Sequence, residues 1–259
     1  MPTTCLVGYS GFVGSNLAGQ RSFTDVFRST NIAEIRGKSY DLLVCAGASA
    51  SKWRANQRPE EDFAAIDRLL RNLAEVRAAR VILISTVDVY PVTKNVDESF
   101  NCGSVANHAY GRNRLHLESQ LNNIFTDLYI VRLPGLFGPG LKKNVIYDLM
   151  HDNCLEAINP YGVFQYYDLT ELWKDLLIIQ KYQLSLVNLV TEPIQTDTIL
   201  RTCFPLKKVG PGNGAAIRYD IRSRHAELFG GRNGYRFDSD EVLSRLGKFI
   251  EEYGAGTSA

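Results

Sequence analysis

Three glycines near the start of the chain, Gly8, Gly11 and Gly14, are spaced three residues apart. An apolar run at residues 4–7 precedes them, and an amphipathic stretch follows. A strand, a glycine turn and a helix in this order suit a nucleotide diphosphate, because glycine lets backbone N–H groups reach the phosphates at the positive end of the helix dipole. The alternative is an ordinary tight turn, which the position between a strand and a helix disfavours. The predicted contacts here are Gly8, Ser10, Gly11, Phe12, Val13 and Gly14.

Composition narrows the function classes. The net charge of +1 gives no overall field that would favour nucleic acid or an acidic membrane. The five cysteines are scattered and lack metal-ligand spacing, which predicts a reducing compartment and no metal site. No apolar run is long enough to cross a bilayer. We therefore predict a soluble, cytoplasmic protein that binds neither nucleic acid nor membrane.

Strands and helices are predicted to alternate through the first half of the chain. Apolar runs at residues 24–29, 40–47, 81–86 and 128–133 predict strands buried on both faces, with helices over 60–79 and from 110 onward. This alternation is typical of a doubly wound parallel sheet, an α/β Rossmann fold. We predict a cofactor-binding core over residues 1–140.

The second half is less regular. Its periodicity predicts helices over 141–150, 170–180 and 241–253 and a strand over 184–190. We predict that residues 141–259 form a small substrate-binding lobe, interleaved with the last core strand and the C-terminal helix.

Five segments together resemble the extended short-chain dehydrogenase/reductase superfamily, particularly its nucleotide-sugar epimerases, dehydratases and reductases. In chain order they are the glycine turn, Ala46-Gly47, the strand end 84–90, the tyrosine motif 110–114 and the loop 132–140. The resemblance covers roughly residues 4–180. It implies hydride transfer with a nicotinamide dinucleotide on a nucleotide-linked sugar, as in the biosynthesis of surface polysaccharides.

The resemblance also assigns residue roles. Tyr110 would be the general acid/base, and Thr86 would hydrogen-bond the same substrate oxygen. Alternatively, Tyr110 is an ordinary amphipathic residue at a helix start and the Thr86 hydroxyl bonds local backbone. Further cofactor contacts are implied for Ala46, Gly47, Ser85, Tyr110, Arg114, Pro134 and Leu136.

Arg114 stands where the superfamily has a lysine. That lysine binds the nicotinamide ribose and lowers the tyrosine pKa. Four residues apart on a helix, Tyr110 and Arg114 share a face, so Arg114 is the third predicted catalytic residue. Its charge is more diffuse than an ammonium. The alternative function is therefore a dinucleotide-binding sensor or scaffold without turnover.

The second predicted strand ends without an acid, at Arg28, Ser29 and Asn31. A carboxylate there would bind the 2′-hydroxyl of NAD, whereas arginine suits a 2′-phosphate. We predict NADP as the favoured cofactor and NAD as the alternative, with Arg28 then a solvated charge.

The predicted substrate contacts are Asp88, Lys142, Asn144 and Tyr166. Lysine at a helix start is also typical of solvated surface, and Tyr166 belongs to an aromatic cluster that equally suits a lobe core. Dehydratases of the superfamily that the chain resembles usually carry an acid pair just after the Ser/Thr. Here only Asp88 follows Thr86, so the resemblance implies a reductase or epimerase rather than a dehydratase. The resemblance further implies a homodimer formed by the helices over 60–79 and 110–121.

Overall fold

The computed structural model describes residues 2–212 and 214–254, which form two compact units. The first unit comprises Met1–Val92, Ser99–Leu133 and Leu172–Val187. The second comprises Thr93–Glu98, Pro134–Glu171 and Asn188–Ala259. Both units are discontinuous in sequence. The assignment of cofactor to residues 1–140 and substrate to residues 141–259 stays a prediction.

A six-stranded sheet organises the first unit. Its strands are β1 (Thr4–Val7), β2 (Asp25–Phe27), β3 (Leu42–Cys45), β4 (Val81–Thr86), β5 (Leu128–Leu133) and β6 (Leu186–Asn188). They lie in the order β6-β5-β4-β3-β1-β2, and β1 to β5 pair in parallel. The predicted Rossmann fold is confirmed. Because the strand order reverses at β1, ligands of such a sheet bind beside the carboxyl end of β1.

Continuous apolar sequence produces the central strands. Every residue of β1 and β3 is buried, which is the pattern of strands covered on both faces. Burial raises the pKa of the Cys5 thiol to about 12 and that of Cys45 to about 11, so both behave as small apolar core residues.

The described residues contain eight helices. They are α1 (Phe12–Gln20), α2 (Lys52–Gln57), α3 (Pro59–Leu73), α4 (Ala109–Ile124), α5 (Val145–Met150), α6 (Leu172–Tyr182), α7 (Thr196–Cys203) and α8 (Ser239–Gly254). Of these, α1, α2, α3, α4 and α6 belong to the first unit and α5, α7 and α8 to the second. Short 3-10 helices occur at Ile32–Ile35, Val87–Val89, Cys102–Ser104, Leu155–Ala157, Leu169–Glu171 and Ala226–Phe229.

The prediction of one helix over 60–79 was wrong at its C-terminal end. Helix α3 ends at Leu73, and Arg77–Ala78 pairs as a short strand with Ser39–Tyr40. Asn72 explains the ending, because its side chain donates to the Arg68 carbonyl at 2.6 Å and accepts from Arg36. A side chain that bonds the backbone in this way competes with continued helix.

The second unit contains short strand pairs. Gly135–Phe137 pairs in parallel with Tyr166–Asp168, and Lys94–Val96 with Asp220–Ile221. Val163–Phe164 pairs antiparallel with Ile194–Gln195.

Within residues 2–212 and 214–254, every helix is too short or too polar to cross a bilayer.

Candidate active site

The glycine turn after β1 has a geometry that only glycine fits. Gly8 has φ of +89°, and a Cβ there would lie 2.3 Å from the Ala46 carbonyl oxygen. A Cβ at Gly14 would lie 2.0 Å from the Gly8 carbonyl oxygen. Because both collisions are with backbone, no side-chain rearrangement relieves them. The turn therefore packs α1 directly against the end of β1.

The outer side of the same turn is open. Gly11 is the N-cap of α1, and no side chain caps that helix. A Cβ at Gly11 would approach only the Gly8 carbonyl oxygen, at 3.3 Å. Ser10 is exposed, and Phe12 and Val13 are half-buried. An uncapped first helical turn beside open space fits the pyrophosphate of a dinucleotide.

Ala46 and Gly47 adjoin the turn at the end of β3. The Ala46 N–H donates to the Val7 carbonyl at 2.8 Å, and a Cβ at Gly47 would lie 2.9 Å from a methyl group of Val7. The close packing of β1 and β3 therefore requires small residues here. Contact of this pair with a bound adenosine stays a prediction.

A guanidinium lies at the end of β2. Arg28 is exposed, and its Nε donates to the Thr30 hydroxyl at 3.0 Å while its backbone N–H donates to the Asn31 side chain at 2.8 Å. Ser29 is also exposed. Asp25, at the start of β2, accepts from Lys38 at 2.8 Å and from Tyr40, and the Lys38 hydrogen bond lowers its pKa.

Helix α4 begins beside Tyr110 and is capped by a histidine. The His108 Nδ1 accepts from the Gly111 N–H at 3.0 Å, and the Tyr110 N–H donates to the Asn56 side chain at 2.9 Å. Tyr110 is 6% exposed. Side chains from two segments thus satisfy the first backbone donors of α4.

Arg114 lies under Tyr110, with its guanidinium 4.1 Å from the centre of the tyrosine ring. Its Nη1 forms an ion pair with Asp62 on α3, and its Nη2 donates to the Ser49 carbonyl. Asn113 donates to the same Asp62 carboxylate at 2.8 Å. Arg114 is 3% exposed, so its charge is buried inside the first unit, where the Asp62 carboxylate neutralises it. Its predicted bond to a cofactor ribose stays a prediction.

The pKa of Tyr110 is raised above its ordinary value, mainly by burial. The charge of Arg114 lowers this pKa, as the sequence predicted, and so do a hydrogen bond with Thr86 and the charge of Lys52. Asp88 acts in the opposite direction. In the protein without a ligand, burial therefore outweighs the nearby cations, and the pKa of Tyr110 with a nicotinamide bound stays a prediction.

Thr86 and Asp88 come together at the end of β4. The Thr86 hydroxyl accepts from the Asp88 N–H at 3.1 Å, and the Asp88 carboxylate accepts from Lys52 at 2.7 Å. The first turn of α4 packs against this segment, because a Cβ at Gly111 would lie 2.2 Å from the Asp88 carbonyl oxygen. The structure therefore brings Thr86, Asp88 and the start of α4 together, while their roles toward substrate stay predictions.

Ser85 is joined to a buried ion pair. Its hydroxyl donates to Glu118 on α4 at 2.5 Å, and Glu118 pairs with Arg132 on β5 at 2.6 Å. The guanidinium of Arg132 lies 4.8 Å from the centre of the Tyr90 ring. This network links β4, β5 and α4 below Thr86. The predicted contact of Ser85 with cofactor stays untested.

The other predicted site residues lie in the second unit. Pro134 follows β5, and the Leu136 carbonyl accepts from the Asn144 side chain at 2.8 Å. Asn144 has φ of 126° and caps α5 by accepting from the Tyr147 N–H. Lys142 is exposed, and Tyr166 is 3% exposed in its short strand. The roles of these residues toward cofactor and substrate stay predictions.

A family comparison now identifies the chain. Residues 20–159, more than half of the chain, match the NAD dependent epimerase/dehydratase family. The chain belongs to this family. The resemblance found in the sequence is thereby confirmed.

Solved structures of this family's fold are similar to the chain along almost all of its length. RMD from Pseudomonas aeruginosa complexed with NADPH is 16% identical, with a TM-score of 0.77 over 98% of this chain and 99% of that one. UDP-glucose 4-epimerase from Thermotoga maritima with UDP-glucose is 13% identical, with a TM-score of 0.73 over 96% and 99%. MoeE5 in complex with UDP-glucuronic acid and NAD is 16% identical, with a TM-score of 0.70 over 96% and 98%. At these identities the likeness establishes the fold. No significant match was found among curated protein sequences.

Four residues around Tyr110 escaped the sequence analysis: Lys52, Asn56, Asp62 and Glu118. The first three lie on α2 and α3, more than forty residues before Tyr110, so spacing along the chain gave no signal for them. Glu118 did carry a signal, because residues 110, 114 and 118 recur every four residues and line one face of α4.

Proposed function

We propose that the chain is an NAD(P)-dependent enzyme that acts on a nucleotide-linked sugar by hydride transfer, as a reductase or an epimerase. The observation that carries this proposal is the placement of two features in the first unit. The open glycine turn follows β1, and Thr86 ends β4 beside Tyr110, so both lie at the carboxyl edge of one parallel sheet. Family membership and the ligands named for similar structures, UDP-sugars with NAD or NADPH, support it.

The first unit would hold the dinucleotide through its glycine turn. The pyrophosphate would bind backbone N–H groups in the first turn of α1, after Gly11, whose own N–H donates to the Gly8 carbonyl at 2.9 Å. Arg28 would pair with a 2′-phosphate, which favours NADP, and NAD is the alternative. A nicotinamide dinucleotide, when bound, supplies the group that accepts or donates hydride.

Tyr110 would exchange a proton with the reacting substrate oxygen, and Thr86 would hold that oxygen by a hydrogen bond. Arg114 would act from beneath the ring of Tyr110 and through its bond to Ser49. Asp88, Lys142, Asn144 and Tyr166 are the proposed substrate contacts.

A second function has a specific observation in its favour. Arg114 is committed to Asp62, and the pKa of Tyr110 is raised. A site of this kind would bind dinucleotide without turnover and serve as a sensor or scaffold. The two functions share the glycine turn and differ only in what happens at Tyr110.

Binding and turnover are tested separately. NADPH and NADH fluorescence titrations should show saturable binding to the wild type and loss of binding in Gly11→Val, whose branched side chain enters the proposed phosphate space. The matched control is Gly19→Val on the same helix, where an added Cβ meets nothing within 4 Å. A wild type that binds neither dinucleotide would overturn both functions.

Turnover is then followed on a panel of nucleotide-linked sugars and keto sugars, by nicotinamide absorbance for a reductase and by chromatography of the sugar for an epimerase. Tyr110→Phe should retain dinucleotide binding and lose turnover. Full turnover in this variant would contradict the proposed role of Tyr110. Binding without turnover across the panel would favour the sensor.

We also propose a cytoplasmic homodimer that pairs through α3 and α4. All five cysteines are free, which supports a reducing compartment. On these helices Phe63 is 43% exposed, and its ring lies 4.9 Å from that of His116. Light scattering should give a dimer mass that Phe63→Glu reduces to that of a monomer.

A further inference from the structure

Lys52 and Asp88 form an ion pair close to Tyr110. The Lys52 Nζ lies 2.7 Å from the Asp88 Oδ1, and the two side chains are 38% and 18% exposed. The residues are 36 positions apart in the sequence and lie on different elements. This pair belongs to neither the glycine turn nor the tyrosine motif.

Helix α2 brings Lys52 to this position. Lys52 is its first residue, and Asn56 follows one turn later on the same face. The Asn56 side chain accepts from the Tyr110 N–H at 2.9 Å. The face of α2 that carries Lys52 is therefore tied to the first turn of α4.

Asp88 is fixed at the other side of the pair. Its N–H donates to the Thr86 hydroxyl at 3.1 Å, and its carbonyl accepts from Asn107 at 3.0 Å. Its backbone is thus held between Thr86, which is proposed to bind the reacting oxygen, and the segment that leads into α4, and its carboxylate accepts from Lys52. An uncompensated negative charge here would oppose ionisation of Tyr110.

Arg114 lies against the ring of Tyr110 but is itself paired with Asp62, so a second cation is needed for Asp88. We propose that Lys52 is a positioning residue of the Tyr110 site: from α2, its ammonium pairs with Asp88 and offsets the negative charge that would otherwise lie close to Tyr110. This inference rests on the proposed function.

The direction in which the pKa of Tyr110 should change follows from the charged groups that face its side chain. These are Arg114 on α4 with Asp62 of α3 behind it, Lys52 on α2, Asp88 after β4, and His108, whose ring centre is 6.3 Å from that of Tyr110. Removal of Lys52 takes away the positive charge nearest the Asp88 carboxylate, so the pKa of Tyr110 should rise further. Removal of both the Lys52 and the Asp88 charge should return the pKa of Tyr110 toward its wild-type value.

The test compares Lys52→Met, Asp88→Asn and the double variant. Fluorotyrosine is incorporated in place of tyrosine, and the fluorine NMR signal that disappears in Tyr110→Phe is followed against pH. This readout needs no cofactor. The second readout is the pH profile of kcat/KM, measured for the same variants with the substrate found active in the panel.

Lys52→Met should move both profiles to higher pH and lower kcat/KM by about tenfold at pH 7. Lys52→Arg, which keeps the charge, should stay near the wild-type profile. In the fluorine titration the double variant should return toward the wild type, whereas its kcat/KM also carries the loss of Asp88 as a proposed substrate contact. The matched control is Lys38→Met, because Lys38 pairs with Asp25 at a similar distance, 2.8 Å against 2.7 Å, with side chains 42% and 32% exposed, away from Tyr110. This control should move neither profile.

Two results would overturn the inference. One is a Tyr110 signal in folded Lys52→Met that titrates as in the wild type. The other is a double variant shifted as far as Lys52→Met, since Asp88 would then not be the charge that Lys52 offsets. If the wild type binds no dinucleotide, the proposed function fails, while the fluorine titration still decides the role of Lys52.

Discussion

Two helix starts in the first unit are built in different ways. The start of α1 is shaped by main chain alone, because Gly8 and Gly14 let backbone approach backbone and no side chain caps the helix. The start of α4 is shaped by side chains from other segments, with Asn56 and His108 satisfying its first donors. Backbone N–H groups at the start of α1 are therefore left for a ligand, whereas those at the start of α4 are hydrogen-bonded to side chains of the protein.

This difference indicates how the starts of α1 and α4 tolerate amino-acid substitutions. The glycine turn before α1 depends on a few glycines, and no other residue can replace them. A side-chain network distributes charge among Arg114, Asp62, Lys52 and Asp88, so one changed motif residue can be offset by others. The following changes test this comparison.

The largest effect is expected at the buried ion pair under Tyr110. Asp62→Ala leaves the guanidinium of Arg114 buried without its carboxylate, which should cost about 3–5 kcal/mol in the free energy of unfolding by urea. The matched control on α3 is Asp67→Ala, which breaks an exposed pair with Arg71 and should cost less than about 1 kcal/mol. Equal losses in the two variants would show that Arg114 does not depend on Asp62.

A substitution in the glycine turn should cause a slightly smaller loss in the free energy of unfolding. Gly14→Ala places a Cβ 2.0 Å from the Gly8 carbonyl oxygen, so the helix must shift, at a cost of about 3 kcal/mol. Dinucleotide binding should disappear in the variant that remains folded. Gly19→Ala on the same helix is the control, and it should keep both stability and binding. Retained binding in Gly14→Ala would mean that the close packing of the turn is not needed.

The choice of cofactor should depend on one exposed side chain. Arg28→Ala removes a charge-assisted bond to a 2′-phosphate, worth about 1.5–3 kcal/mol, so NADPH should bind roughly ten- to hundredfold more weakly. NADH binding measured on the same variant should not change, which makes it the internal control. Equal weakening of both dinucleotides would contradict a 2′-phosphate site at Arg28.

The smallest effect concerns the cap of α4. Burial, followed by the charge of Lys52, lowers the pKa of His108 below its ordinary value of 6.5. The unfolded chain therefore binds a proton more readily than the folded one, so stability is full above pH 6.5 and declines as the pH falls below it. Because His108 is only partly withdrawn from solvent, the loss should not exceed the ~1 kcal/mol of an N-cap.

Thermal melts of His108→Asn measure this contribution, because asparagine caps without titrating in that range. The variant should lose the part of the acid sensitivity that begins near pH 6.5. An unchanged pH dependence would show that other groups cause it.

Much of the fold followed from local sequence. Residues 128–133 were predicted as a strand and form β5, and the helix expected from residue 110 is α4. Helix α2 was missed because its six residues are too few to show a helical period. The strand predicted over 184–190 is confined to Leu186–Asn188, since strand ends are set by pairing with a neighbour.

The sequence by itself determined the glycine turn and the parallel sheet whose first strand precedes it. Glycine spacing and apolar runs act over a few residues, so both can be read along the chain. Only the tertiary structure decided the surroundings of Tyr110. Arg114 meets Asp62 and Lys52 meets Asp88 because α2 and α3 pack against α4 and the end of β4, and such packing brings together charges that lie far apart in the sequence.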